Sequence, residues 1–201
     1  MESAASGTDH RRRPRRRGAA LHDAIVQAVV AELAEVGYAG LTMEGVAERA
    51  QASKGSLYRR WPGKLQLVMD TAYHLLPEPA DVADTGTLRG DLLAMLRLVN
   101  DNLAGPAGQA MRGVISEVLQ DDTRAAQVRA RARGTSIAAV REVVRRADAR
   151  GEIDGRAVTE RQLETGHALL RYHFLSHGGP VADEVVTGIV DEVLLPLFRA
   201  R

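Results

Sequence analysis

The sequence predicts an all-α fold of about nine helices, and three observations carry that prediction. Strong helix formers (Ala, Leu, Arg, Glu) are abundant, whereas the alternation of a half-buried strand is hard to find. Apolar residues recur at three and four along most of the chain. Apolar residues reach 45% of the 201 while aromatics are only 3%, so a sizeable core is available and it is aliphatic. Cysteine is absent, which removes disulfides, thiolate zinc sites and cysteine nucleophiles together and suits a cytoplasmic protein.

Residues 1–17 are small, polar and basic, with Pro14 interrupting RRRPRRR, and read as a disordered tail. Two roles stay open for it: a solubilising extension, or an arm that follows phosphates or enters a minor groove. A first domain is expected over 18–76. Its first helix, 20–36, has an apolar face of Leu21, Ile25, Ala28, Val29, Leu33 and Val36, and Gly37 is a suitable left-handed stop. The arginine run ahead of an apolar helix imitates an export signal. However, His22, Asp23, Glu32 and Glu35 leave too short an uncharged stretch to span a bilayer, so no membrane partner is expected.

Thr42 is a good N-cap for a second helix with Met43, Val46, Ala47 and Ala50 as its buried stripe. Gln51-Ala52 is a turn, and Ser53 caps a third, short helix from Lys54 to about Arg60. Leu57 is its inward anchor, leaving Lys54, Gly55, Ser56, Tyr58 and Arg59 outward. Gly55 costs such a helix about 1 kcal/mol against Ala, which suits a backbone that must come close to a groove floor. Lys64–His74 is the fourth helix.

Pro77–Thr87 is the clearest linker, and a second domain is expected over 77–201. Helices are read at Leu88–Leu103, Gln109–Leu119, from Asp122 or Thr123 to about Arg150, at Val158–His177, and from Pro180 onward, with Pro196 ending or kinking the last.

The charge is unevenly placed. Residues 1–17 carry six arginines against Glu2 and Asp9, a net of +4; Lys54, Arg59, Arg60 and Lys64 add another +4 with no acid among them. The rest of a chain whose total is +1 therefore holds −7. Outside the tail, positive charge collects on the 41–64 unit, where Lys54, Arg59, Arg60 and Lys64 can neutralise phosphates, and Ser56 and Tyr58 can bond phosphates or base edges. Arg59 is long enough to reach guanine.

That unit also carries a resemblance. Val36–Val68 (VGYAGLTMEGVAERAQASKGSLYRRWPGKLQLV) resembles the signature of the TetR family of bacterial regulators almost throughout. It has a Gly-Tyr before helix two, a Thr opening it, a small-residue turn and a Ser-Lys-Gly-Ser-Leu-Tyr recognition helix. An aromatic follows, and a Lys opens helix four. Residues 20–74 look like that family's helix-turn-helix domain. The resemblance implies that Thr42 and Lys64 hold phosphates, that Tyr58 sits at the backbone, and that Lys54, Gly55, Ser56 and Arg59 face the groove, with Ser53 and Arg60 beside them. Trp61 stands where many relatives have Phe or His.

The C-terminal part resembles the family in architecture, which implies a homodimer on a pseudo-palindromic double-stranded operator and a small-molecule effector in a helical cavity. No cofactor is implied. The expected dimer surface is Leu163, Gly166, His167, Leu170 and Phe174 on the eighth helix, with Val186, Ile189, Val190, Val193 and Leu194 on the ninth. Each stripe taken alone also fits an intrachain core. The expected ligand lining is Met95, Met111, Ile115, Leu119, Val140, Leu169 and Tyr172.

Enzymatic signals are thin. Glu164-x-x-His167 is half of a di-iron carboxylate motif whose second copy is missing, and His173 and His177 lack an obvious third ligand. The reading is therefore a non-enzymatic, sequence-specific transcriptional regulator, a repressor released by an effector. Its rivals are a helical small-molecule binder or enzyme with a vestigial DNA unit, and a nonspecific DNA-packaging protein that uses the tail.

Overall fold

The computed structural model describes residues 18–75, 78–118 and 137–199, and all regular structure among them is helical. The arginine tail, Leu119 and the first half of the arginine-rich helix read from Asp122 lie outside these residues.

Helix α1 (Ala19–Gly40) buries Ile25, Val26, Ala28, Val29 and Leu33. Gly37 takes the left-handed φ of 68° anticipated for a stop, yet one more helical turn follows, closed by the Leu41 amide on the Gly37 carbonyl at 3.1 Å. Leu41 itself is drawn into the core, which explains the extra turn. Helices α2 (Met43–Arg49) and α3 (Lys54–Arg60) start at their expected caps. Thr42 Oγ1 accepts from the Gly45 amide at 3.0 Å, and Ser53 Oγ from the Ser56 amide at 3.3 Å. Between them Gln51 adopts φ 53°, and the Ala52 amide returns to the Ala47 carbonyl at 2.9 Å. That is a left-handed helix stop made without glycine. Helix α4 (Lys64–His74) follows directly.

After a short 3-10 turn (Pro79–Asp81) come α5 (Leu88–Ala104) and α6 (Pro106–Val118). Pro106 opens α6 rather than separating two helices, because the first turn of a helix has no use for the missing N–H. Beyond the undescribed segment lie α7 (Ala138–Ala149) and α8 (Glu160–His177), the latter opened by a Thr159–Gln162 capping box. Helix α9 (Asp183–Gly188) runs through a π-helical segment (Ile189–Leu194) into α10 (Leu195–Arg199). Pro196 therefore does not end the helix. The Leu195 amide reaches back five residues to the Val190 carbonyl, and this wider turn gives the proline ring room beside the preceding carbonyls.

Two cores result. One gathers Ile25, Val29, Leu33, Val46, Leu57, Trp61 and Val68; the other gathers Leu92, Met95, Leu96, Val140, Leu170, Phe174, Val190 and Leu194. Helix α6, which the sequence assigned wholly to the second domain, joins both. Its Ala110 and Val114 belong to the first core, while Met111 packs against the second. Two glycines allow this closeness. A Cβ on Gly113 would lie 2.0 Å from Tyr38 Cγ, and one on Gly108 would lie 1.9 Å from the Leu103 carbonyl oxygen and 2.8 Å from the Phe174 ring.

The second core is fastened by polar clamps. Asp91, fully buried in α5, accepts from the Thr85 amide and hydroxyl, each at 2.7 Å, and from Arg150 at 2.9 Å. Glu152 accepts from the Leu88 amide at 2.8 Å. Asn100 exchanges two hydrogen bonds with the Val181 backbone, at 2.7 and 2.9 Å, and so ties α5 to the approach of α9. Among the described residues no helix is long and apolar enough to cross a membrane.

Candidate nucleic-acid interface

Helix α3 has seven residues and buries one of them, Leu57. The others face outward because two N-caps and a left-handed turn aim the helix away from the core. Ser53, Lys54, Gly55, Tyr58, Arg59 and Arg60 are exposed, and Ser56 is half-buried. Thr42 is exposed too, with its side-chain oxygen capping α2. Thus most of the residues expected at DNA are exposed, and Lys64 is half-buried. Gly55 has no reason to be glycine inside the protein: its φ is ordinary, and an added Cβ would meet only Arg59 Nη1, at 3.8 Å.

Electrostatically this surface is unfinished. Among the described residues the guanidinium groups of Arg59 and Arg60 make no ion pair. Lys54 Nζ lies 3.7 Å from Glu44 Oε1, beyond hydrogen-bond distance, and Tyr58 donates its phenolic proton to the same oxygen at 3.4 Å. Glu44 was not singled out from the sequence, because an acid in a helix's first turn is the ordinary partner of the helix dipole. Lys64 differs from the others. Its ammonium donates to the Tyr38 carbonyl at 3.0 Å and lies 4.5 Å from the centre of the Tyr38 ring. One of its three donors is thus already used in placing it. Trp61 is buried; its Nε1 donates to Asp70 of α4 at 3.0 Å, and His22 of α1 stacks on it with ring centres 5.9 Å apart. These contacts fix the end of α3 against both flanking helices. Arg49, also overlooked, is tied to Glu32 at 2.8 Å and to Glu35, which joins α2 to α1.

The family description "Bacterial regulatory proteins, tetR family" matches residues 25–70, and "Tetracyclin repressor-like, C-terminal domain" matches residues 82–193. The chain belongs to the TetR family. An uncharacterized HTH-type transcriptional regulator of Mycobacterium tuberculosis is 30% identical over 164 residues, 82% of this chain and 81% of its own length. The protein named DNA-binding transcriptional repressor TetR of Mycobacteroides abscessus is 30% identical over 186 residues, 91% of this chain and 96% of its own. The crystal structure of the TetR family transcription regulator SCO0332 superposes with a TM-score of 0.72 at 28% identity, covering 87% of this chain and 96% of that one. This TetR-family chain is accordingly a DNA-binding transcriptional regulator, with the all-α, helix-turn-helix architecture read from its sequence.

Elsewhere the structure moves several expected residues. Of the expected dimer surface, Leu163, Gly166, Leu170, Phe174, Val186, Ile189, Val190 and Leu194 are buried within the one chain, and His167 and Val193 are half-buried. In the single chain the most apolar stripe of each helix packs into the second core. The outward side of α8 instead exposes Tyr172 (61%) and Leu175 (40%). Tyr172, expected among the ligand lining, is thus exposed in the single chain. Met95 and Val140 are almost fully buried core, whereas Met111, Ile115 and Leu169 are half-buried.

His167 is the one described side chain left with a buried polar atom, Nδ1, without a hydrogen-bond partner. Burial, with Arg171 adding to it, holds its pKa down to about 4. His173 and His177 stack on each other with ring centres 5.5 Å apart, and His177 Nδ1 lies 3.2 Å from the His173 carbonyl. Among the described residues no group of three or more His, Cys, Asp or Glu gathers as a metal site.

Proposed function

We propose that this regulator represses transcription as a homodimer, placing two copies of α3 in successive major grooves of a pseudo-palindromic operator, half-sites about 34–36 Å apart. Thr42, Tyr58 and Lys64 anchor the phosphates. Lys54, Gly55, Ser56 and Arg59 face the bases, with Ser53 and Arg60 at the edges. The observation that carries this reading is Gly55. It is an exposed helical glycine that no neighbour in the protein requires, and it sits where a groove floor would approach. Repression is supported by the name of the Mycobacteroides abscessus relative.

The dimer face is assigned to the outward side of α8, through Tyr172 and Leu175. A small-molecule effector in the C-terminal domain would favour a dimer whose two α3 helices are misspaced, which needs different affinities for the two states. Residues 18–76 and 77–201 serve as the DNA unit and the dimerisation and effector unit, with α6 as the joint.

Selection of bound sequences from a random duplex library tests the function: an inverted repeat supports it, and recovery without any consensus sinks it. Tyr58→Ala and Lys64→Ala are expected to weaken binding to the selected duplex at least tenfold without changing the melting temperature much. On sedimentation, Leu175→Asp combined with Tyr172→Glu is expected to yield folded monomers; a dimer that persists moves the interface off α8.

A further inference from the structure

We infer that Glu44 is a base-reading residue of this regulator, recognising a cytosine amino group at a fixed position of each half-site. The inference rests on the DNA-binding reading proposed for α3 and sharpens its specificity.

Glu44 stands two residues after the cap Thr42, in the first turn of α2, and its side chain is half-exposed. It shares the outward surface with Lys54 and Tyr58 of α3, the nearest groups of the recognition helix. An acid suits the first turn of α2 but not a surface that meets DNA: docking brings it toward phosphates, and the repulsion costs affinity unless something on the DNA donates to it. The protein does not supply enough. A carboxylate has about four acceptor positions. Here the Tyr58 hydroxyl occupies one at 3.4 Å, a long bond, and Lys54 at 3.7 Å makes none. Glu35 and Glu32, by contrast, are engaged by Arg49 on the far side of α2.

The chemistry of the major groove then narrows the partner. Its only hydrogen-bond donors are the exocyclic amino groups, N4 of cytosine and N6 of adenine. Adenine presents its N7 acceptor beside that donor, which a carboxylate repels and a carboxamide matches; cytosine presents the donor alone. Glu44 therefore selects cytosine. The Tyr58 hydroxyl and the Lys54 ammonium hold the carboxylate forward until a base replaces them, which frees Tyr58 for phosphate and Lys54 for the groove.

Selection from a random duplex library with wild type, Glu44→Gln and Glu44→Ala tests this. Wild type is expected to fix cytosine at one symmetric position per half-site by about tenfold or more. Glu44→Ala is expected to lose that preference while keeping the rest of the consensus and binding mismatched duplexes more tightly. Glu44→Gln is expected to shift the position toward adenine. Replacing the selected cytosine by an analogue lacking the 4-amino group is expected to weaken wild type and leave Glu44→Ala unchanged. An unchanged consensus in both variants overturns the inference while leaving the operator reading intact. So does a uniform loss at every position, which would mean that Glu44 acts only through Lys54 and Tyr58. If wild type selects no consensus at all, the DNA reading fails first, and this inference falls with it. Thermal melts of all three proteins separate any of these outcomes from misfolding.

Discussion

Arg59 and Arg60 at the end of α3 and Arg89 and Arg97 along α5 are the same side chain at exposed positions, yet they stand in opposite states. Arg89 grips Asp191 with two bonds of 2.7 and 2.8 Å, and Arg97 grips Asp183 in the same way. Arg97 links α5 to α9 and Arg89 links it to the π-helical segment, and each acid's pKa is lowered by its arginine. Arg59 and Arg60 find no such partner among the described residues. Arg89 and Arg97 hold helices of the C-terminal bundle together, whereas Arg59 and Arg60 stay available for something outside the protein. The backbone repeats the contrast: the bundle's glycines at 108, 113 and 166 are pressed by neighbours, while Gly55 has open space.

The strongest way to break this contrast is to remove a clamp. Asp91→Ala strands the Thr85 donors and Arg150 around a buried site, and is expected to cost about 3 kcal/mol of stability, read by chemical denaturation. The salt dependence of DNA binding should stay as it was. A loss no larger than that of an exposed pair would mean that the clamp is incidental.

A second expectation concerns acid. His167 is held at a pKa of about 4, below the ordinary 6.5, so the folded state binds fewer protons than the unfolded chain between those values. Stability should then fall as pH drops through that window, by about 2 kcal/mol after allowance for partial exposure. His167→Leu should flatten the curve there and leave neutral-pH stability nearly unchanged. Further loss should set in lower, as Asp91, Glu152 and Glu142 protonate. Burial pushes the Asp91 and Glu152 pKa values up, but Thr85 and Arg150 for one, and the Leu88 amide and Arg150 for the other, pull them below the ordinary range. Glu142 is held at about 2 chiefly by Arg145.

The smallest expected effect carries opposite signs. Gly55→Ala should stabilise the protein by roughly 0.5–1 kcal/mol, because it removes the helix cost of glycine without a clash. It should at the same time weaken operator binding. Gain in both would mean that no groove floor comes close to this part of α3.

How legible each region was follows from the same contrast. The DNA unit works through local signals: Thr42 and Ser53 as caps, Leu57 as the single inward residue, a polar surface on a short helix. Each can be read from neighbours in sequence. The C-terminal unit works through pairs far apart in the chain, such as Arg89 with Asp191 and Asn100 with Val181, which no local pattern announces. Periodicity alone does not separate core from interface. It finds the most apolar stripe of a helix, and on α8 that stripe (Leu163, Gly166, Leu170, Phe174) packs in the chain's own core, while Tyr172 and Leu175 face outward. Helix α6 was assigned to the second domain alone because its apolar residues at 110, 111, 114 and 115 form one broad stripe, and only packing shows that it serves two cores. Pro196 was read as ending or kinking the last helix, because a π-helical turn leaves no signature in sequence.

The most direct test of the central claim compares the two pairs of arginines. Binding to the selected duplex is measured across salt concentrations for wild type, for Arg59→Ala with Arg60→Ala, and for Arg89→Ala with Arg97→Ala. The first pair removes four cations from the dimer and should reduce the salt slope by about 3–4, at roughly 0.9 per lost phosphate contact, with an unchanged melting temperature. The second should lower the melting temperature and leave the slope alone. A slope unaffected by the loss of Arg59 and Arg60 would contradict the assignment of α3 as the surface that meets DNA.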